Sequence, residues 1–226
     1  MKIVAAKKIL SANAQLADEN RAKLNAAGVL GVNLVGSPGC GKTTLLEALV
    51  ASLRGRLAPA VIEGDIAGSI DAERIDALGV PVVQINTEGA CHLDATMIAA
   101  ATQGMDLAAA DLLVIENVGN LVCTAGFDLG EHVRIVLLSL TEGDDKLVKY
   151  PAIFRGSHAL VLTKCDLLPH TNFQVDRALG DMRRLAPEAR VFQVSALRGE
   201  GIPALADWLV EQHAVARSGR GGTSLP

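Results

Sequence analysis

The sequence predicts an α/β fold, a mostly parallel sheet covered by helices on both faces, and two observations carry that expectation. Short apolar, β-branched runs alternate with helix-forming stretches along the 226 residues, the pattern from which parallel sheets are built. One strand-to-helix junction also carries a glycine-rich turn of chemically specific spacing. With half its residues apolar, a chain of this length can bury one sizeable core, and length priors favour one domain over two.

From the N-terminus, residues 5–27 have the length and composition of a helix, with Ile9, Leu10, Leu16 and Leu24 as apolar contacts for the domain or a partner chain. Residues 29–35 form the first strand and 43–50 the helix after it. Further strands fall at 59–62, 80–85, 112–115, 133–138, 159–162 and 191–194, and a helix starts near Ser69, with Asp71 as an N-terminal acid. The Arg, Ser and Gly-rich end reads as disordered by composition. The expected organisation is a helical extension over 1–28, one domain over 29–215 and a tail over 216–226.

Composition excludes several functions. The formal charge is −4 and aromatic residues make up only 3%, so there is neither a basic face for phosphates nor a stacking platform, and nucleic acid is not an expected partner. The first apolar stretch is too short for a signal peptide and is broken by Lys7 and Lys8, and no later run reaches membrane-spanning length. The expectation is a cytoplasmic protein with no membrane partner. In that reducing compartment Cys40, Cys91, Cys123 and Cys165 read as thiols or metal ligands.

The glycine-rich turn spans 36–43, Gly36-Ser37-Pro38-Gly39-Cys40-Gly41-Lys42-Thr43, followed by Thr44. Its spacing, G-x-x-x-x-G-K-[ST], between a strand and a helix is that of a phosphate-binding loop. Glycines let backbone N–H groups wrap the phosphates at a helix N-terminus whose dipole favours anions. Lys42 is expected at the β and γ phosphates and the Thr43 hydroxyl at Mg²⁺. Cys40 reads as a tolerated small residue. The fold expectation narrows to a P-loop NTPase.

Thr163-Lys164-Cys165-Asp166 directly follows the apolar run 159–162, where a parallel strand would deliver a loop to the ligand crevice. It resembles the base-recognition motif of GTPases, in which the aspartate accepts hydrogen bonds that guanine can give and adenine cannot. A buried acceptor left unpaired by the wrong base discriminates strongly. Thr163 stands where asparagine is commoner, a departure expected to loosen the loop. Ser195-Ala196-Leu197 follows the last strand and resembles the second base-supporting loop. GTP is thus the expected substrate.

Between these motifs lie groups suited to sensing the γ-phosphate. Glu116 ends a strand and Gly119 lies three positions on; by resemblance to GTPases the carboxylate approaches Mg²⁺ and the glycine N–H the γ-phosphate. Asp65 and Asp71 follow the second strand at a spacing that resembles the first switch of dimerising P-loop enzymes of the nickel-insertion, signal-recognition and nitrogenase-iron-protein class. That resemblance implies that Asp65 orients the attacking water and that Asp65 and Asp71 assist Mg²⁺. Lys42, Asp65, Glu116 and Gly119 are the catalytic candidates.

Cys91 and His92 are adjacent, and Cys123 lies four residues beyond Gly119. Two thiolates and an imidazole suit Zn²⁺ or Ni²⁺ and not Mg²⁺ or Ca²⁺. Three ligands leave a fourth position for water, another side chain or a second subunit at a two-fold axis. The competing reading is two structural cysteines and an exposed histidine.

Over nearly its whole length the chain resembles the nickel-incorporation GTPases of [NiFe]-hydrogenase maturation, the HypB family. The resemblance rests on GSPGCGKTTLLEAL (36–49), EGDIAGSIDAERI (63–75), GACHLDA (89–95), IENVGNLVC (115–123), TEGDDKLVKYP (141–151) and TKCDLLP (163–169). It implies Ni²⁺ or Zn²⁺ on Cys91, His92 and Cys123, a GTP-dependent homodimer and slow GTP hydrolysis. It also implies a zinc-containing nickel-chaperone partner and a hydrogenase large-subunit precursor as client. Cys40, Thr124 and Leu147 depart from the common pattern, the last two replacing prolines, and none removes a proposed ligand. The first residues carry neither a cysteine-rich nickel motif nor a histidine-rich stretch, so storage of many nickel ions is not expected. Alternatives are the urease nickel GTPase, whose Cys-Pro-His motif differs from the contiguous Cys91-His92, and a GTP-dependent regulatory switch without metal.

Overall fold

The computed structural model describes residues 5–66 and 68–219, with side chains from residue 11 onward. Seven strands, β1 (Leu30–Gly36), β2 (Pro59–Asp65), β3 (Val82–Asn86), β4 (Leu112–Glu116), β5 (Val133–Ser139), β6 (Ala159–Thr163) and β7 (Arg190–Gln193), form one sheet in the order β3-β2-β4-β1-β5-β6-β7. Every pairing within it is parallel. After β1 the chain turns to one side of the sheet for β2 and β3, and from β5 to the other. The crevice this reversal leaves lies at the carboxyl end of β1, where the phosphate loop emerges.

Helices α1 (Ala5–Ala27), α2 (Lys42–Leu53), α3 (Ile70–Asp76), α4 (Ala95–Gln103), α5 (Lys146–Lys149), α6 (Pro151–Arg155), α7 (Val175–Leu185) and α8 (Ile202–Arg217) cover both faces. Alternate strand residues divide the core as the two-residue period of a strand requires. On one face Val32, Leu34, Val114 and Ile135 pack with Leu45 and Leu49 of α2 and Leu205 and Leu209 of α8. On the other, Ile62, Leu113 and Ile115 pack with Leu24 of α1 and Ile98 of α4, and Val136, Leu138 and Leu160 with Phe154 and Met182. The strands are buried on both faces, which is why they read as continuous apolar runs.

The expected N-terminal helix is α1, seated on its own domain against α4 and the loop at 128–131. Its approach is close: Gly130 has φ 91°, and a Cβ there would lie 2.5 Å from the Ala17 carbonyl oxygen. Leu24 is buried and Leu16 half-buried, while the side chains of Ile9 and Leu10 lie outside the described residues. The expected tail is corrected at its start. α8 continues through Arg217, because Ala214, Val215 and Ala216 extend the helical ladder to the Ser218 N–H; residues 220–226 lie outside the described residues. Among the described residues no helix is long and apolar enough to cross a membrane.

Candidate functional site

The phosphate loop joins the end of β1 at Gly36 to the start of α2 at Lys42. Gly39 and Gly41 take φ of 72° and 95°, a left-handed conformation that glycine adopts at no steric cost. Ser37 accepts the Cys40 N–H through its carbonyl, 3.3 Å away, turning the loop back on itself. Pro38 and Gly39 are exposed, and Lys42 and Thr43 are buried. The Cys40 thiol points inward, fully buried, 2.6 Å from where a Gly36 Cβ would stand. Burial pushes it up to about 11, so it is a packed small residue, as read from sequence, and not a reactive thiolate.

Lys42 reaches a cavity of about 240 Å³ that Glu63, Asp65, Asp71, Glu116 and Gly119 also line. The Thr43 hydroxyl donates to Glu116 Oε1 at 2.8 Å, which joins two of the four expected Mg²⁺ ligands. Gly119 crosses the phosphate loop in contact: a Cβ would lie 2.9 Å from Pro38. One residue on, the Asn120 N–H donates to the Gly36 carbonyl at 3.0 Å. Burial lifts the Glu116 carboxyl to about 7 against the pull of Lys42 and Thr43. Glu116 Oε2 and Glu63 Oε2 are buried without a hydrogen-bond partner, and two such oxygens fit a divalent cation.

Two acids in this cavity are engaged elsewhere. Asp65 accepts the Ile66 N–H at 2.6 Å and the Gly68 N–H at 3.0 Å, so both its oxygens serve the turn of its own loop. Asp71 sits in the first turn of α3 and pairs with Arg74 at 3.1 Å, which is the helix-acid role read from sequence. Arg74 also holds Glu47 at 2.6 Å and approaches the Thr44 hydroxyl at 3.4 Å. Glu63 was not among the sequence candidates. Its signal is positional: it precedes Asp65 by two on a strand, so both face the same side.

A second cavity, about 190 Å³, is lined by Gly41, Thr44, Thr163, Asp166, Ala196 and Leu197. Asp166 accepts the Ser195 hydroxyl at 2.7 Å, and that bond holds its carboxyl below the usual range, charged and fit to accept. Lys164, in a left-handed conformation with φ 57°, donates its Nζ to the Gly39 carbonyl at 2.7 Å. Its stem therefore lies along the pocket. The expectation that Thr163 loosens this loop is corrected. Its buried hydroxyl donates to the Cys40 carbonyl at 2.6 Å, fastening the base loop to the phosphate loop.

Cys91, His92 and Cys123 come together with their ligand atoms all within 4.8 Å of one another. The Sγ atoms of the free cysteines Cys91 and Cys123 are 2.7 Å apart, and His92 Nδ1 is 3.8 Å from Cys91 Sγ. The Cys123 thiol, hydrogen-bonded to Cys91, is raised above its ordinary value. A soft cation is what two converging sulfurs and an imidazole accommodate. Asn120 places Cys123 directly, its Oδ1 accepting the Val122 and Cys123 N–H groups at 2.7 and 2.9 Å. The replaced proline position, Thr124, is buried and donates to the Asn120 carbonyl at 2.7 Å.

Phe127 stacks on the His92 ring with centroids 3.9 Å apart. Its carbonyl accepts from Arg134 Nη2 at 2.9 Å, and Arg134 pairs with Glu131 at 2.6 Å. Glu131 also accepts the Asn33 amide at 3.0 Å. In turn Asn33 accepts the Asn117 amide at 3.3 Å. This buried chain was missed because its members are scattered singly through the sequence. Phe127 alone offered a signal, an aromatic four residues after Cys123 in an aromatic-poor chain.

Fold and loops together place the chain in the P-loop nucleoside triphosphatase class, with a cysteine–histidine cluster beside the segment that crosses the phosphate loop. The chain belongs to the CobW/HypB/UreG family: the profile described as "CobW/HypB/UreG, nucleotide-binding domain" matches residues 30–193. It is 47% identical over 204 residues to the hydrogenase maturation factor HypB of Escherichia coli (strain K12), covering 90% of this chain and 70% of that one. To HypB of Azotobacter vinelandii it is 48% identical, covering 90% and 67%. The crystal structure of HypB from Helicobacter pylori in complex with nickel superposes with a TM-score of 0.87 at 38% identity, covering 94% of this chain and 98% of that one.

Proposed function

We propose that this protein is a GTPase that hydrolyses GTP to GDP and phosphate in order to control the delivery of Ni²⁺ during [NiFe]-hydrogenase maturation. One observation carries the reading: Cys123, one of the three clustered ligands, sits four residues beyond Gly119, the glycine packed on the phosphate loop. Whatever draws that loop toward a γ-phosphate also moves a metal ligand.

In the nucleotide site, the phosphate-loop N–H groups and Lys42 bind the phosphates and stabilise charge on the transferred group. Thr43 and Glu116 hold Mg²⁺, which supplies neutralising charge at the phosphates. Asp166 and Ser195 read the base. Asp65, released from its own turn, orients water, and Asp71 supports the cation from α3. Turnover is slow because, in the described arrangement, Asp65 must first give up two backbone hydrogen bonds.

Cys91, His92 and Cys123 hold Ni²⁺ as cargo, and the same donors accept Zn²⁺. Ile66, Ile70 at the start of α3 and Val122 are exposed near the two sites, which suits a GTP-dependent homodimer that brings two copies of the metal site together. The working partners are a zinc-containing nickel chaperone and the hydrogenase large-subunit precursor, in the cytoplasm.

Equilibrium dialysis with Ni²⁺ and Zn²⁺, in GDP and in a non-hydrolysable GTP analogue, tests the reading, with oligomeric state measured on the same samples. Stoichiometric binding that disappears in the Cys91/His92/Cys123 triple alanine variant, with affinity that changes with nucleotide, is the expected result. Unchanged metal binding in that variant, or no stoichiometric binding by wild type, would leave a nucleotide switch without cargo.

A further inference from the structure

Between the nucleotide cavity and the metal ligands lies one residue that touches both strand β2 and the segment after β4. Leu93 is fully buried next to His92. Its N–H donates to Asn117 Oδ1 at 3.2 Å, and Asn117 directly follows Glu116. Its side chain is seated on β2: a Cβ on Gly64, between Glu63 and Asp65, would lie 2.7 Å from Leu93 Cδ1. Glycine is required there because the leucine occupies the space of a side chain.

Asn117 is built for this position. It is 2% exposed, and both ends of its amide are used. Oδ1 also accepts the Val118 N–H at 2.9 Å, while Nδ2 donates to Asn33 on β1, the strand that feeds the phosphate loop. The amide therefore spans the switch segment, the central strand and the metal loop, all within a dry interior where displacing one partner leaves another unsatisfied.

The far end of the metal loop is fixed by a different element. The Ala95 N–H donates to Asn13 Oδ1 and its carbonyl accepts Asn20 Nδ2, both at 2.9 Å, so α1 clamps residue 95 from both sides of the peptide. Before the ligands, Thr87 Oγ1 donates to the Ala90 carbonyl at 2.6 Å and closes a tight turn. Cys91 and His92 thus lie between a closed turn and Leu93, with the chain anchored again at Ala95. Asn117 is thus joined to His92 through Leu93, and α1 anchors the chain beyond them.

We propose that Asn117 is a positioning residue that couples nucleotide state to the metal site by holding Leu93, so that Cys91 and His92 move with the same loop that carries Cys123. The inference rests on the nickel-delivery reading and deepens it. One loop then governs all three ligands, two through Asn117 and the third through Asn120, and α1 supplies the fixed reference against which they shift. A coupling of this kind changes metal affinity severalfold between nucleotide states.

The test compares Ni²⁺ affinity of wild type and Asn117→Ala in GDP and in a non-hydrolysable GTP analogue, with the near-ultraviolet thiolate-to-nickel absorption band recorded in each. Wild type is expected to differ about fivefold or more between the two states. The variant is expected to bind Ni²⁺ within about threefold of wild type in GDP, with a ratio between states below about twofold and one band shape in both. A variant that keeps the wild-type ratio overturns the role of Asn117. Nucleotide-independent affinity in wild type instead overturns the coupling reading beneath it. Should the variant not fold, amide hydrogen exchange in wild type decides. Leu93 protection should change with nucleotide while Ala95 protection does not, and equal exchange at Leu93 in both states overturns the inference.

Discussion

Glu63 and Glu116 stand opposite one another in register on β2 and β4, both 3% exposed and each with a buried oxygen that has no hydrogen-bond partner. Burial, then the charge of Glu116, pushes Glu63 up to about 8. A carboxyl whose pKa is raised by folding binds more protons folded than unfolded. The stability it contributes is complete below its unfolded pKa and is lost as pH rises through the folded value. The nucleotide-free protein should therefore lose thermal stability progressively as pH rises from about 4.5 to about 8 and level off above that, and millimolar Mg²⁺ with nucleotide should remove most of that loss. Glu63→Gln should raise the melting temperature of the nucleotide-free protein at pH 8 by about 2–4 °C and shrink the effect of Mg²⁺. A variant with wild-type pH dependence would show that Glu63 does not carry the titration, and one with the wild-type response to Mg²⁺ that the pair does not form the cation site.

Lys42 is the buried positive charge among four carboxylates, and among the described residues no other lysine or arginine lines that cavity. Removing it takes away the group that meets the charge of the transferred phosphate, the main catalytic contribution in this chemistry. Lys42→Ala should cut the steady-state rate of GTP hydrolysis by about 100-fold or more. Phosphate release is the assay, and a rate within about tenfold of wild type would contradict the assignment.

For Asp166 the decisive quantity is a ratio. The Ser195 hydroxyl holds the carboxylate charged at the edge of the base pocket, and Lys164 and Thr163 tie that loop to Gly39 and Cys40. Asp166→Asn keeps the shape and exchanges an acceptor for a donor that faces guanine N–H groups. Competition binding of GTP against ATP and xanthosine triphosphate should show GTP weakened by about 1–3 kcal/mol, with its advantage over the others reduced. An unchanged preference would remove Asp166 from base reading.

Much of this arrangement was legible in the sequence because its groups come in runs. Gly36 to Thr43 and Thr163 to Asp166 each bring a local backbone geometry with them, and the apolar strand runs fix where those loops emerge. Asp71 could be read two ways for the same reason, since an acid at a helix start satisfies local rules whether or not a cation is near. What escaped depends on register across strands. Nothing local marks that Glu63 faces Glu116, which takes the pairing of β2 with β4, or that Asn33, Asn117, Glu131 and Arg134 meet, which takes the pairing of β1 with β4 and β5. Thr163 was misjudged because its substitute for an asparagine amide, a hydroxyl aimed at the Cys40 carbonyl, exists only once two loops are packed.

Arg134 and Glu131 form the most buried ion pair among the described residues, 2.6 Å apart with side chains 4% and 0% exposed. Burial works against the Glu131 charge, yet Arg134, the Asn33 amide and the Leu129 N–H hold its carboxyl down to about 2. A carboxyl depressed by folding contributes stability that is present above its unfolded pKa and lost only as pH falls toward the folded value, so the pair stays intact through the physiological range. Arg134→Met leaves Glu131 charged, buried and short of its main partner, which costs about 3–5 kcal/mol. It also frees the Phe127 carbonyl, so the ring that stacks on His92 loses its brace. The double variant Glu131→Gln with Arg134→Met removes the stranded charge and keeps one of the two acceptor oxygens, so that either the Asn33 amide or the Leu129 N–H retains its bond. Urea denaturation should place it at least halfway back toward wild type, while Ni²⁺ affinity should stay reduced in both variants because Phe127 is unheld in each. Stability and metal affinity recovering together would mean that Arg134 serves the metal site only by neutralising Glu131.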